Sequence, residues 1–535
     1  MSPTRRELLK AGLGIAALAL VPRPLLARLE SGWEPVPPIR DPRVKELALA
    51  AVEAARAAGA TYADVRLTHT RTRRFTLPRA AFIQDAEQMA VGVRALVDGC
   101  WGYASSPVWD RNGVARLGRA AVASARTGAA GRTREVELAP APVVHDEHWT
   151  MPVEIDPFEV HPFEIVDYLQ SLALFTTRLP GAGVSNNNCT FTMQERAFAS
   201  SDGSYFTQRL YRSEGRFVVG YQKGRERTGG ELELLTPAGL GWELYKGQPL
   251  REEIERLVAR LEEDLSLPLK PVEVGRYDVV FDQLSLARLV DRTLGRSTEL
   301  DRALGYEANA GGTSYLSDPL GMVGKLEVGS RLLNLTGNRT ERGGAATVRW
   351  DDDGVGPVEF TLVRDGVLTD FQTTRESASW IADYYARQGR PTRSLGCASA
   401  SSALELPLQR TPNLVLAPAG DAKDFDAIIA GVERGVAVRG VDVEMDFQAL
   451  HGLCLGGNIY EIENGKRVAR IAGAGLLFRS PELWKSLVGL GGPESLRRYG
   501  MATTKGDPPQ HAYHSVTAPP GVFEKFTVID VKRKA

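Results

Sequence analysis

Five charged side chains crowd the eleven residues DRTLGRSTELD, from Asp291 to Asp301. Asp291, Glu299 and Asp301 offer lone pairs, while Arg292 and Arg296 offer only donors, so the segment mixes groups that bind metals with groups that repel them. On composition alone such a run is a solvated helix face whose ion pairs stabilise by about 0.3 kcal/mol each. Other chemistry is sparser. His145/His148 and His511/His514 have H-x-x-H spacing, which suits a metal on a helix or turn, but neither pair has a third ligand of obvious geometry nearby. The first pair reads as a surface loop before Trp149, the second as a mobile edge in the proline-flanked segment QHAYHSVTAPP. Asp351 to Asp353 in RWDDDG suit a hard cation, with a hairpin loop of solvated carboxylates as the commoner outcome. No G-x-S-x-G elbow occurs, and GGPESLRRYG lacks the spacing of a phosphate loop. Cys100, Cys189, Cys397 and Cys454 form no C-x-x-C pair and read as small buried hydrophobes.

These groups must be held by a chain of 535 residues, more than one hydrophobic core usually organises, which points to two domains. Hydrophobic residues at 43%, charged residues at 24% and a net charge of -1 give no bias toward nucleic acid. At the front, Thr4-Arg5-Arg6-Glu7-Leu8-Leu9-Lys10 precedes an apolar run from Ala11 to Val21, the pattern of a twin-arginine export signal over residues 1–27. The run is about half of the roughly 20 residues that span a bilayer, and no later segment reads as transmembrane. The expected location is therefore periplasmic, after export of a chain already folded.

Asp41 and Pro42 cap VKELALAAVEAARAAG as a helix, TYADVRLTHT follows as a strand, and Asp98-Gly99 marks a hairpin before a second helix, ARLGRAAVASART. Another Asp-Gly at 202–203, a helix PFEIVDYLQSLALF, and a face of Leu250, Ile254, Leu257, Val258, Leu261 and Leu265 complete a unit over 36–270. Period-2 alternation dominates 271–535, with hairpin signals in EFTLVRDGVLTDFQTT and NIYEIENGKRVARI. The expected class is α+β: an N-terminal helix and antiparallel-sheet domain, then a mostly antiparallel β domain that carries the charged helix.

The strand YDVVFD, a helix of the form x-x-x-x-G-x-x-x-E-x-D, and RALGYEANAGGTSYLSD together resemble the TldD/PmbA family of metallopeptidases, the modulator-of-gyrase family. AGATYADVRL, VGVRALVDGCWGYASS, LQRTPNLVLAPAG and RGVAVRGVDVEMDFQALHGLCLGGNIYEIENGKRV extend the resemblance over nearly the whole mature chain. It implies that this helix carries H-E-x-x-x-H in active members, two imidazoles holding zinc and the glutamate acting on water. Here Asp291 stands at the first histidine, Arg292 at the glutamate and Arg296 at the second histidine, while Gly295, Glu299 and Asp301 are retained. The family's third ligand is a cysteine near the C-terminus, and Val516 matches its position. No zinc or other cofactor is therefore expected in this chain. At about 4 Å and an effective dielectric near 20, an arginine repels a dication by roughly 8 kcal/mol.

On a regular α-helix, positions five apart face different ways, so the family's motif requires a bulge near Gly295. With it, Arg296 is expected to bring its charge to the former metal position, held by Asp291 and Glu299. The resemblance implies a subunit without catalysis of its own, paired with a paralogue that keeps H-E-x-x-x-H and helping to hold unfolded peptide. Two alternatives stay open: a peptidase rebuilt around Asp291, Glu299, Asp301 or the histidine pairs, and a peptide-binding homodimer.

Overall fold

The computed structural model describes residues 37–77, 81–131 and 134–532; the twin-arginine segment lies outside the described residues. The protein is an α+β chain of two domains. Its first half is built on a seven-stranded sheet of β1 (Tyr62–Leu77), β2 (Phe82–Val97), β3 (Cys100–Ser106), β4 (His145–Thr150), β5 (Ala182–Ser200), β6 (Tyr205–Lys223) and β7 (Glu226–Glu231). The strands run in the order β3-β2-β1-β5-β6-β4, with β7 added to β6. Long antiparallel registers join β1 to β2 and β5, and β5 to β6. Asp98 and Gly99 both take positive φ, the conformation a tight hairpin demands and that Asp-Gly adopts at low cost.

Two helices, α1 (Pro42–Ala57) and α2 (Arg111–Gly128), cover one end of this sheet. Asp41 caps α1 by accepting from the Arg43 N–H, and Pro42 begins the helix where no hydrogen bond is lost. Val44, Ala48, Ala51 and Ala55 of α1 are buried with Val65, Leu67, Val91 and Val93 of the strands. The helices close tightly because Gly118 lacks a side chain: a Cβ there would lie 2.5 Å from the Ala51 carbonyl oxygen. Farther along, α3 (Pro162–Thr177) and α4 (Leu250–Ser266) form a second core, with Ile165, Leu169 and Leu257 around Phe191, Trp242 and Tyr245.

The second half contains a six-stranded and a ten-stranded sheet. The strands that matter for the site are β8 (Gly275–Phe281), β9 (Leu335–Asn338), β10 (Asn413–Leu416), β11 (Arg434–Arg439), β12 (Asp442–Met445), β13 (Arg497–Lys505), β14 (Gln510–Ala518) and β15 (Gly521–Asp530). One sheet, of six strands, ends in the neighbours β9-β10-β14-β13, so β13 is its edge. The other, of ten, begins at β12 and has β15-β8-β11 at its centre. Most contacts are antiparallel, but β8 runs parallel to β11 and β10 parallel to β14. Positive φ at Asp365-Gly366 and at Asn464-Gly465 marks the two hairpin turns expected here.

Where the halves meet, the structure corrects one expectation: Asp351, Asp352 and Asp353 are buried rather than solvated. Arg94 from β2 sits between Asp64 at 2.6 Å and Asp353 at 2.8 Å. Asp352 takes Arg196 at 3.2 Å and Arg66 at 3.7 Å, and its second oxygen accepts from the Ala400 N–H. The Asp351 carboxylate accepts from the backbone of Val355 and Ala398. Each carboxylate of RWDDDG is thus consumed by arginines or amides, and the run is a joint between domains rather than a cation loop.

Candidate functional site

Asp282 follows β8 directly and caps the next helix, α5 (Gln283–Leu289), by accepting from the Ser285 N–H. The helix then widens. Val290–Gly295 is a π turn, in which the Arg296 N–H donates to the Asp291 carbonyl five residues back. The bulge expected near Gly295 is present. In a turn this wide, residues five apart lie nearly above one another, so Asp291 and Arg296 both line one cleft. Widening frees backbone carbonyls, and neighbours take them up. Gln372 donates to the Gly295 carbonyl at 2.6 Å, while Thr293 turns its hydroxyl onto Leu289 and receives the Trp484 indole N–H at 2.9 Å. Gly295 itself is pressed against β10, where a Cβ would come within 2.9 Å of Leu414.

The charges are partnered differently from the expectation that Arg296 pairs with Asp291 and Glu299. Asp291, buried, lies 2.9 Å from Nε2 of the buried His514 on β14, and Arg292 stands 3.6 Å away at the rim. Glu299 accepts from Lys505 at 2.9 Å, Arg302 at 3.2 Å and the Thr411 hydroxyl at 3.0 Å. Lys505 also meets Asp301 at 2.8 Å. Burial opposes the charge on Glu299, but Lys505 and Arg302 outweigh it and hold the carboxyl at about 2. Burial pushes Asp301 above its ordinary range, with Lys505 opposing. Arg296 instead donates to the Gly311 carbonyl, which also receives Arg302 at 2.5 Å. Burial, then the nearby charge of Arg302, lowers Arg296 to about 10.

The remaining candidates scatter. Val516 is buried between Leu414 and Tyr499, and His514, two residues earlier on the same face of β14, is the side chain that reaches Asp291. The tail expected to be a mobile edge is therefore an internal strand of the sheet. His511, three residues from His514, is exposed and meets the Thr504 hydroxyl at 3.1 Å. His145 and His148 lie on the strand β4 rather than on the surface loop expected, with a register shift between His145 and Glu147, and His148 meets the Thr207 hydroxyl at 2.8 Å. Cys189, Cys397 and Cys454 are buried thiols, and Cys100 is half-buried. Among the described residues no three His, Cys, Asp or Glu side chains converge as a metal's donor set.

Two cavities share Asp291 and Arg292 and together follow the two sheet edges. One, of about 580 Å³, is lined by Thr503, Thr504 and Lys505 of β13 and by Met445 and Phe447 at the end of β12. The other, of about 630 Å³, is lined by Gly500, Met501 and Ala502 of β13 and by Asp442, Val443 and Glu444 of β12. The π turn thus lies against a cleft bordered by the edge strands of both sheets. Lys505 was missed in the sequence, and His514, weighed there only with His511, was not matched to Asp291, because 206 and 223 residues separate them from Glu299 and Asp291. The available signal was alternation in HAYHSVTA, which puts His514 on the face of the apolar Val516.

Two family models match the chain: the PmbA/TldA metallopeptidase domain 1 over 63–125 and the PmbA/TldA metallopeptidase C-terminal domain over 274–530, together more than half of its length. A metalloprotease of Methanocaldococcus jannaschii is 23% identical over 435 residues, 78% of this chain and 86% of that protein. A metalloprotease of Methanothermobacter thermautotrophicus is 30% identical over 192 residues, about a third of either chain. Among solved structures, a protein of Thermotoga maritima described as a modulator of a DNA gyrase superposes with a TM-score of 0.68 at 15% identity, over 91% of this chain and 100% of the other. TldE from Thermococcus kodakarensis superposes with a TM-score of 0.67 at 14% identity, over 91% of this chain and 99% of the other. Identities this low carry the fold, and the family models carry the ancestry. The chain belongs to the TldD/PmbA family of metallopeptidases.

Proposed function

We propose that this chain is a metal-free subunit that pairs with a related zinc peptidase, helps hold unfolded peptide by strand addition, and acts in the periplasm after twin-arginine export. The observation that carries the reading is the pair of sheet edges, β12 and β13, along one cleft at the π turn. An extended peptide pairs its backbone with such an edge, and side-chain pockets along the edge select among peptides.

The donor chemistry of the cleft supports the absence of zinc. Zinc takes lone pairs from imidazole, thiolate or carboxylate, usually four in a tetrahedron. Asp291 and His514 could give two, but Glu299 and Asp301 are already bound by Lys505, and Arg292 and Arg296 bring positive charge and no lone pair. These residues do not fit the ion. Arg292 also stands where a general base would be needed to take a proton from water. The TldE neighbour supports an assembly of the TldD and TldE kind. Export rests on the twin-arginine pattern at residues 4–21.

The test is co-expression with a related chain that keeps H-E-x-x-x-H, followed by purification through a tag on this one. The expected result is a stable complex in which zinc tracks the partner and cleavage of denatured peptides changes when this chain is removed. Failure to co-purify, together with no effect on cleavage, sinks the pairing. The close contact between Asp291 and His514 favours one rival, a rebuilt metal site. Stoichiometric zinc and chelator-sensitive cleavage in this chain alone would decide for it.

A further inference from the structure

The cleft at the π turn holds more positive charge than it neutralises. Arg292, Arg296, Arg302, Arg410 and Lys505 line the cavity of about 580 Å³, against the carboxylates of Asp291, Glu299 and Asp446, with Asp301 behind Lys505 at 2.8 Å. Each of those carboxylates has a partner. Glu299 is taken by Lys505 and Arg302, Asp291 stands against His514, and Asp446 accepts from the backbone of Leu450 and His451. Arg296 is left over: among the described residues it makes no ion pair, and its one acceptor is the neutral carbonyl of Gly311. Arg302 donates to that same oxygen, so two guanidiniums converge on one carbonyl.

Buried donors are also left without acceptors here. The Nε atoms of Arg296 and Arg410 are both buried and have no hydrogen-bond partner, although Arg410 is only 4% exposed. A buried N–H with no partner is rare in folded proteins, and a charged one is costlier still. A carboxylate answers the unpaired charge, since it is negative, planar, and accepts two parallel N–H bonds from a guanidinium fork. Arg292, half-exposed at the rim, adds attraction at the mouth.

We infer that the cleft beside Arg296 binds a carboxylate carried by an extended peptide, either its C-terminal carboxyl group or an acidic side chain. The inference rests on the peptide-holding part of the proposed function and names the ligand class of the same cleft. Peptide lying along β13 would run past Thr503 and Thr504 toward Lys505, the stretch of edge that lines this cavity.

The experiment uses the full mature chain and three acetylated pentapeptides of alanine, valine and leucine, read by calorimetry or by fluorescence anisotropy. One has a free C-terminal carboxyl, one a C-terminal amide, and one the amide with a single central glutamate. At least one carboxylate-bearing peptide should bind about ten-fold tighter than the neutral amide. The one that does identifies the source. Salt should weaken that binding and leave the amide unchanged. Arg296→Met should remove the preference. Arg296→Lys, which keeps charge but loses the fork, should keep part of it, which guards against a Met variant that fails to fold. Arg342→Met, at an exposed pair with Glu154, should keep all of it.

Equal binding of acid and amide by the wild-type chain would overturn the inference and leave the peptide-holding reading intact. An unchanged preference in folded Arg296→Met would do the same. Absence of binding by all three peptides would overturn both.

Discussion

At the joint between the domains, Arg94 is clasped by Asp64 and Asp353, and Asp352 by Arg66 and Arg196, each within 3.7 Å and all but Arg196 essentially buried. Along the cleft, Lys505 is matched by Glu299 and Asp301 in the same way, but Arg296 a few residues off ends on a carbonyl. Both regions take guanidiniums out of water. In the joint Arg94, Asp352 and Asp353 each have an opposite charge in contact and Asp351 is held by backbone amides, which is what burial demands of groups that only hold a structure together. In the cleft two cations, Arg296 and Arg410, make no ion pair among the described residues, and both line open volume. The difference teaches that completeness of pairing, more than charge content, separates a structural cluster from a surface prepared for something else.

The comparison breaks most visibly at Arg94. Arg94→Ala leaves Asp64 and Asp353 buried together without a cation, and should cost about 3 to 5 kcal/mol in urea unfolding followed by circular dichroism. A loss below about 1 kcal/mol would mean the joint is not held by its ion pairs.

Glu376 sharpens the picture from the edge of the joint, because it accepts from the Trp101 indole but has no cation in contact. Burial, partly opposed by that bond, raises its carboxyl to about 7 from an ordinary 4.5. The folded state therefore holds the proton longer than the unfolded one. Its contribution to stability is complete below about pH 4.5 and is lost as pH rises to about 7. Each unit of difference corresponds to about 1.4 kcal/mol, so the loss is on the order of 2 kcal/mol after allowance for partial exposure. Glu376→Gln keeps an acceptor for Trp101 and should flatten that part of the stability curve, measured by melting between pH 4.5 and 8. A variant that keeps the wild-type slope would assign it elsewhere.

The smallest effect is expected at Arg296. Arg296→Met removes a desolvated cation with no ion pair, and Arg302 still serves the Gly311 carbonyl, so stability should change by less than about 1 kcal/mol in either direction. A destabilisation as large as that of Arg94→Ala would erase the distinction between the two clusters.

How much of this was legible in the sequence depended on range. Asp98-Gly99, Asp365-Gly366 and Asn464-Gly465 announced their hairpins because the turn conformation is decided by the two residues themselves. Asp41-Pro42 announced a helix for the same local reason. The π turn at 290–295 was within reach only through the resemblance, whose metal motif implies that positions five apart share a face, which a regular helix does not allow. Nothing local could say that Asp351 to Asp353 would meet arginines from β1, β2 and β5, because identical residues in a hairpin loop would be solvated. Nor could it say that Lys505 rather than Arg296 would neutralise Glu299. Partner choice among charges is settled by which strands the topology brings together, and the sequence pattern is nearly silent on that.

The π turn also makes chain length matter. It seats one more residue between Asp291 and Arg296 than an α-turn would, and so sets the angular phase between the helix before it and the chain after it. Removing any single residue from 290–295 would let the turn tighten and would rotate Arg296 and the chain beyond it by about 100° around the axis. Glu299 would then swing away from Lys505, and Asp291 and Arg296 would no longer share a side. Whatever its side chains, the count of residues in this stretch acts as a gauge that cannot be reset.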